Sequence, residues 1–142
     1  MRVLVDTCIW SLALRRKDMA ALNAHEKRLV DAWASLVTGE QAVLIGLIKQ
    51  EILSGIRNAA QFGALRQYLA NFNEVPAEPE DYVHAARFFN TLASRGIAGT
   101  AIDLLICAVA YRLNIRIFTT DADFLNYAKF LPIKLHVVSE GK

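Results

Sequence analysis

The sequence has no long apolar run, and this shortage excludes a membrane-spanning helix. Its longest uninterrupted apolar segment, residues 104–111, lies between Asp103 and Arg112 and is far shorter than the ~20 residues that cross a bilayer. The N-terminal residues contain no apolar core of a signal peptide before Asp6 interrupts them. We therefore expect a cytoplasmic protein that makes no membrane contact.

The sequence also has little excess charge of one sign. It carries 16 Lys and Arg against 14 Asp and Glu, a formal net charge of +2. A protein that binds duplex DNA non-specifically needs a broad basic surface, which this balance does not supply. If the partner is a nucleic acid, the contact must be local and carried in part by a metal ion.

Cysteine and histidine are scarce and scattered. The two cysteines, Cys8 and Cys107, have neither CxxC nor zinc-site spacing, so we interpret them as small packed residues in a reducing compartment. The three histidines stand singly. No Ser/His or Cys/His arrangement for nucleophilic catalysis emerges.

Apolar residues, in contrast, are abundant. They make up 54% of the 142 residues, and mean hydropathy is +0.27. This length fits one compact domain, which we place over residues 1–142. The apolar excess favours a well-filled core together with a subunit or partner interface.

Strand-like and helical segments alternate along the chain. Strands are predicted at residues 2–5, 42–46, 115–119 and 135–138. Helices are predicted after residue 7 up to the basic segment 15–17, and at 23–37, 48–56, 59–71, 80–94, 101–113 and 121–128. Residues 74–79 contain two prolines and are predicted to be a connector. The alternation predicts an α/β fold with a mainly parallel sheet of four to five strands and helices on both faces.

Acidic residues follow several of these predicted elements. Asp6 ends the first strand, and Asp121 and Asp123 follow the strand at 115–119. Glu51 lies about one turn into the helix after the second strand, and Asp103 lies in the first turn of the apolar helix. Because ligands bind outside the carboxyl ends of parallel strands, these carboxylates are expected to converge at one edge of the sheet.

Clustered carboxylates suggest a metal site. Uncompensated carboxylates repel one another, and a hard divalent cation removes that cost. Oxygen-only ligands favour Mg²⁺, Mn²⁺ or Ca²⁺ over zinc. Phosphodiester hydrolysis is chemistry that such a site serves well, because the metal activates water and stabilises the leaving oxygen.

Each acid also has a purely structural interpretation. Asp103 can form a capping box with Thr100, and Asp121 or Thr120 can cap the helix that follows. Glu51 can be a solvated residue that pairs with Lys49 or with an arginine one turn on. Asp6 is hardest to explain structurally, because it directly follows a buried strand.

Four motifs, in order, resemble PIN-domain proteins, and in particular VapC-type toxins of bacterial toxin–antitoxin pairs. They are Val-Asp-Thr-Cys-Ile-Trp at residues 5–10, Lys-Gln-Glu-Ile-Leu-Ser-Gly at 49–55, Gly-Thr-Ala-Ile-Asp-Leu-Leu-Ile-Cys-Ala at 99–108, and Thr-Thr-Asp-Ala-Asp-Phe at 119–124. The resemblance extends from residue 2 to about residue 138. Cys8 and Cys107 depart from it, because small residues such as Ser or Ala are more usual there.

The resemblance implies a Mg²⁺- or Mn²⁺-dependent endoribonuclease, usually a homodimer, that a cognate VapB-type antitoxin inhibits. The implied catalytic and metal-binding residues are Asp6, Glu51, Asp103 and Asp121, with Asp123, Thr7 and Thr119 as accessory residues. Candidate RNA-phosphate contacts are Arg15, Arg16, Lys49 and Arg95, although scattered basic residues are commonly just solvated.

Two other functions compete with this one. A PIN-like module that has lost catalysis could act only by binding protein, but all four acids are present. A Mg²⁺-dependent phosphatase or phosphotransfer domain would have a second Asp two residues after the first, where this sequence has Cys8. The sequence does not distinguish among transfer, ribosomal and messenger RNA as the substrate.

Overall fold

A four-stranded parallel sheet lies at the centre of the structure, a computed structural model that describes residues 1–14 and 21–138. The strand order is β3-β2-β1-β4, and all three pairings are parallel. The strands are β1 (Val3–Val5), β2 (Ala42–Ile45), β3 (Asn73–Val75) and β4 (Arg116–Phe118). The predicted α/β class with a parallel sheet is confirmed.

Helices connect and flank these strands. In the described residues they are α1 (Thr7–Leu14), α2 (Ala24–Thr38), α3 (Gly46–Leu53), α4 (Ala59–Leu69), α5 (Pro79–Ala93), α6 (Ala101–Leu113) and α7 (Asp123–Phe130). Helix α5 packs along α6, and α1 contacts both α2 and α3. The basic segment 15–17, where the first helix was predicted to end, lies outside the described residues.

The ends of several helices follow from local capping. Asn23 and Glu26 form a reciprocal capping box that begins α2, as expected for an Asn N-cap with Glu at N3. Helix α3 ends earlier than the predicted residue 56, because Ser54 is extended and Gly55 has a φ of +88°. Helix α7 begins at Asp123 rather than Asp121.

Two strand predictions are wrong. Residues 135–138 form no strand, and only an isolated bridge joins Leu135 to Ile117. Conversely, residues 73–75, partly assigned to the connector, form β3 at the edge of the sheet, paired with β2. Val75 is buried there, and Pro76 follows the strand instead of interrupting it. An edge position tolerates a nearby proline, because only one side of the strand is hydrogen-bonded.

The most apolar segment of the sequence lies in the core. Residues 104–110 of α6 are all buried, as are all residues of β1 and β2. This segment is therefore a core helix, and no helix in residues 1–14 or 21–138 is long and apolar enough to cross a membrane.

A buried ion pair holds α5 against α6. The Asp81 side chain is fully buried and accepts a hydrogen bond from Nε of Arg112 at 2.9 Å. Asp81 Oδ2 also accepts from the backbone N–H of Glu78 at 2.7 Å, which caps the start of α5. The Arg112 guanidinium further donates to the carbonyl of Pro76.

Candidate metal centre

Asp6 lies where β1 ends, and its carboxylate is held on both oxygens. It is only 7% exposed. Its Oδ1 accepts from the backbone N–H of Thr7 at 2.8 Å, and its Oδ2 accepts from the hydroxyl of Thr119 at 2.8 Å. Because Thr119 directly follows β4 in the sequence, the ends of the neighbouring strands β1 and β4 meet at this carboxylate.

Glu51 is joined to the same edge through Thr7. The Thr7 hydroxyl donates to Oε1 of Glu51 at 2.7 Å, while the Thr7 backbone bonds Asp6. Lys49 pairs instead with Glu74 on β3. The surface pairing of Glu51 with Lys49 is therefore not what the structure contains.

Asp103 has two separate attachments at the start of α6. Its backbone N–H donates to the Thr100 hydroxyl at 3.1 Å, which is the N-cap bond. Its Oδ2 accepts from the hydroxyl of Tyr127 on α7 at 3.2 Å. Within the described residues the Thr100 backbone N–H donates no hydrogen bond to the carboxylate, so only half of the predicted capping box forms, while a hydrogen bond with the Thr100 side chain lowers the pKa of Asp103.

Asp121 and Asp123 follow β4 in a tight turn. The Asp121 backbone N–H donates to the Thr119 hydroxyl at 3.0 Å. The Asp123 N–H donates to Oδ1 of Asp121 at 2.9 Å, so the side chain of Asp121 does support the start of α7. These local bonds fix the turn and the Asp121 carboxylate near the end of β4.

Three of these acids are close enough to share one metal ion. Asp103, Asp121 and Asp123 each offer a carboxylate oxygen, and these oxygens lie within 4.8 Å of one another. An all-oxygen donor set of this kind fits Mg²⁺ or Mn²⁺. Asp123, predicted as accessory, is in this group. Asp6 and Glu51 lie outside it and belong to the threonine-linked part of the site.

Electrostatics connect the two parts. Burial raises the pKa of Asp6, and the charges of Glu51 and Asp121 raise it further, while hydrogen bonds from Thr119 and Thr7 lower it. Burial likewise raises the pKa of Asp103, with contributions from Asp6 and Asp121. These acids thus repel one another across a shared space, as expected of carboxylates that a cation would neutralise.

The two cysteines differ in their surroundings. Cys107 is fully buried in α6, and burial raises the pKa of its thiol, in keeping with the packing role. Cys8 is half-buried and lies at the site. Its sulfur accepts from the backbone N–H of Thr120 at 3.3 Å and lies 3.5 Å from the Thr119 hydroxyl. The packing interpretation of Cys8 is therefore incomplete.

The basic candidates are dispersed. Lys49 is engaged by Glu74, and the exposed Arg95 places its guanidinium 5.0 Å from the ring centroid of Phe130. Arg15 and Arg16 lie outside the described residues.

Sequence reasoning missed Tyr127. A buried aromatic on a short helix is usually a packing residue, and nothing in the neighbouring residues marks its hydroxyl. The available signal is spacing: Tyr127 lies four residues after Asp123 and therefore on the same face of α7.

The comparisons with known proteins agree with the parallel α/β fold. The PIN domain family model matches residues 3–130. No curated protein has a matching sequence. Similar solved structures include FitAcB from Neisseria gonorrhoeae, with 19% identity, a TM-score of 0.73, and coverage of 94% of this chain and 95% of that chain.

Two further structures are similar over nearly the whole chain. VapBC2 from Rickettsia felis, bound to a DNA fragment from its promoter, has 15% identity and a TM-score of 0.73, covering 96% of this chain and 98% of that chain. VapBC-1 from nontypeable Haemophilus influenzae has 18% identity and a TM-score of 0.69, covering 96% and 97%. At these identities the likeness establishes the shared fold.

Proposed function

The chain belongs to the PIN domain family, and on that premise we propose that it is a Mg²⁺- or Mn²⁺-dependent endoribonuclease acting as the toxin of a toxin–antitoxin pair. PIN domains are generally nucleases. The observation that carries the proposal is the group of Asp103, Asp121 and Asp123 oxygens within 4.8 Å of one another. Burial raises the pKa of Asp6 beside it, and the charges of Glu51 and Asp121 add to that rise.

In the proposed site, one set of side chains binds the metal ion and a second set orients the remaining carboxylates. Asp103, Asp121 and Asp123 would hold the metal ion, with Asp6 and Glu51 completing the acidic site. When bound, the ion supplies water activation and charge stabilisation for phosphodiester hydrolysis. The hydroxyls of Thr7 and Thr119 orient Glu51 and Asp6, so these carboxylates need no rearrangement when RNA binds.

RNA would contact the chain through a few basic side chains. We retain Lys49, Arg95, Arg15 and Arg16 as the candidates. Lys49 must exchange its Glu74 partner for a phosphate, whereas Arg95 is exposed. A net charge of only +2 fits a substrate bound at few phosphates rather than along an extended track.

The proposed protein partners are a VapB-type antitoxin and a second copy of the chain. A similar solved structure, with 19% identity and a TM-score of 0.63, is named as a toxin–antitoxin complex from Klebsiella pneumoniae, which supports the antitoxin. An apolar groove of about 410 Å³ between α5 and α6 supports a protein partner more generally. Tyr82 and Phe89 in its lining are 58% and 47% exposed, and exposed apolar surface of this kind marks interaction sites.

The mass of the purified chain, measured without an antitoxin, tests the second copy of the chain as a partner independently of the antitoxin. Light scattering coupled to size exclusion should give twice the 15.8 kDa monomer mass, and Phe89→Lys should give the monomer if copies meet at the groove. A monomeric wild type would argue against the homodimer. If a small reading frame lies directly beside the gene, its co-expression should relieve toxicity when that frame encodes the antitoxin.

Expression in cells tests the nuclease proposal. Wild type should arrest growth and produce new RNA 5′ ends at defined positions, and Asp6→Asn should do neither. Asp31→Asn, an exposed acid on α2, is the matched control and should behave as wild type. Identical RNA ends in wild type and Asp6→Asn would contradict the proposal.

A further inference from the structure

Tyr127 is a buried tyrosine whose hydroxyl reaches the acidic site. Its side chain is 1% exposed, and its ring packs edge-on against Phe124 with 5.2 Å between centroids. The hydroxyl donates to Oδ2 of Asp103 at 3.2 Å. Burying a hydroxyl without a hydrogen-bond partner costs free energy. The hydrogen bond to Asp103 therefore offsets the cost of burying the Tyr127 hydroxyl together with its ring.

The position of Tyr127 on α7 places it next to a second acid of the site. Asp123 is the first residue of α7, and residues four apart lie on the same helix face. The same helix therefore supplies one member of the metal-binding group and the hydroxyl that contacts another member, Asp103.

The Asp103 carboxylate has two partners, which come from different helices. Thr100, the N-cap of α6, accepts from the Asp103 backbone N–H, and a hydrogen bond with its side chain lowers the pKa of Asp103. Tyr127 bonds Oδ2 from α7. Tyr127 is thus the contact that holds the Asp103 carboxylate relative to the helix that carries Asp123.

We infer that Tyr127 is a positioning residue of the metal site, holding the Asp103 carboxylate where it meets Asp121 and Asp123; this inference rests on the proposed function. Without the hydroxyl, the half-buried Asp103 side chain is repelled by Asp6 and Asp121 and keeps only the Thr100 side chain, at the start of its own helix, as a hydrogen-bond partner. Groups that orient metal ligands in this way commonly change metal affinity when removed.

The hydroxyl is suited to donate. The ordinary pKa of a tyrosine hydroxyl is about 10. The phenol therefore keeps its proton at neutral pH and remains a hydrogen-bond donor to the carboxylate.

Calorimetric titration with Mn²⁺ tests the inference in Tyr127→Phe, which removes only the hydroxyl. Tyr111→Phe is the matched control, because Tyr111 lies on the same helix as Asp103 and its ring packs against His84 and Phe88. Tyr127→Phe should raise the Kd for Mn²⁺ by about 10-fold, and Tyr111→Phe should leave it unchanged. Thermal unfolding gives a second measure of metal binding, namely the rise in Tm on adding Mn²⁺, which is calculated for each variant from its own metal-free Tm.

The outcomes are distinct. An unchanged Kd for Mn²⁺ in Tyr127→Phe overturns the inference. This holds even if the metal-free Tm falls, because a purely structural role changes stability without changing metal affinity. Wild type that binds no Mn²⁺ overturns the proposed function itself. A raised Kd in Tyr127→Phe alone, with a smaller Mn²⁺-induced rise in Tm, supports the positioning role.

Discussion

The hydroxyl of Thr119 donates to Oδ2 of Asp6 at 2.8 Å and accepts from the backbone N–H of Asp121 at 3.0 Å. A single side chain after β4 thereby fixes the acid at the end of β1 and the turn that carries Asp121. The relative position of these two carboxylates depends on Thr119.

Thr119→Ala should therefore weaken Mn²⁺ binding and RNA cleavage by at least ~10-fold, since residues that orient metal ligands typically contribute this much. Thr119→Ser retains the hydroxyl and should stay close to wild type. The measurement is Mn²⁺ affinity by calorimetry together with single-turnover cleavage. Equal loss in the Ser and Ala variants would show that the methyl packing matters rather than the hydroxyl.

The stability of the metal-free protein should fall as pH rises above about 4. Burial raises the pKa of Asp6 and Asp103 from an ordinary value of 3.8, so in this window the folded state binds more protons than the unfolded state. Stability falls with pH wherever that holds. The loss begins near the unfolded pKa and is complete above the raised folded pKa values. Thermal unfolding in chelator across this range measures it.

Asp103→Asn removes one of the two carboxyl groups with a raised pKa, so stability should fall less steeply with pH in this variant. At neutral pH the metal-free variant should be at least as stable as wild type, because repulsion is relieved and the Thr100 cap bond to the backbone remains. Asp31→Asn is the control and should keep the wild-type profile. A large fall in the metal-free Tm of Asp103→Asn would instead favour a mainly structural role for this acid.

Arg112→Ala should destabilise the fold by about 3 kcal/mol, since removing one partner leaves the other charge buried and uncompensated. Asp81 is 0% exposed and would lose its guanidinium partner. Arg87→Ala, an exposed change on α5, is the control. Urea unfolding gives both free energies, and equal values for the two variants would mean that Asp81 is neutralised in another way.

Arg95→Ala should reduce the salt dependence of RNA binding. Each phosphate contact on a single strand contributes about 0.7 to the slope of log K against log salt. We expect a fall of that size for Arg95→Ala, and the same measurement on Lys49→Ala tests the second candidate. Unchanged slopes would remove both residues from the RNA-binding surface.

The sequence was sufficient to place acids that follow strands. Asp6 and Asp121 come directly after buried apolar segments, and parallel strands end at the same edge of a sheet, so their convergence could be predicted. The bounds of α6 were also predictable, because Thr100 caps its start and Asn114 ends it in a left-handed conformation.

Features that depend on distant packing could not be predicted. Tyr127 meets Asp103 across 24 residues, and Arg112 meets Asp81 across 31. Neither contact leaves a periodic signal in the sequence. Strand β3 is short and only Val75 in it is buried, so its pairing with β2, rather than its own composition, makes it a strand.

Single-turnover cleavage of RNA by the purified chain tests the central claim most directly. The comparison is between wild type, Asp6→Asn, Asp103→Asn and the control Asp31→Asn, each with Mn²⁺ and with chelator. We expect cleavage by wild type and Asp31→Asn that requires Mn²⁺, and a loss of at least ~10-fold in both site variants, because even residues that only orient metal ligands commonly contribute this much. Undiminished cleavage by Asp6→Asn and Asp103→Asn, or cleavage by wild type in chelator, would contradict a metal-dependent site built from these carboxylates.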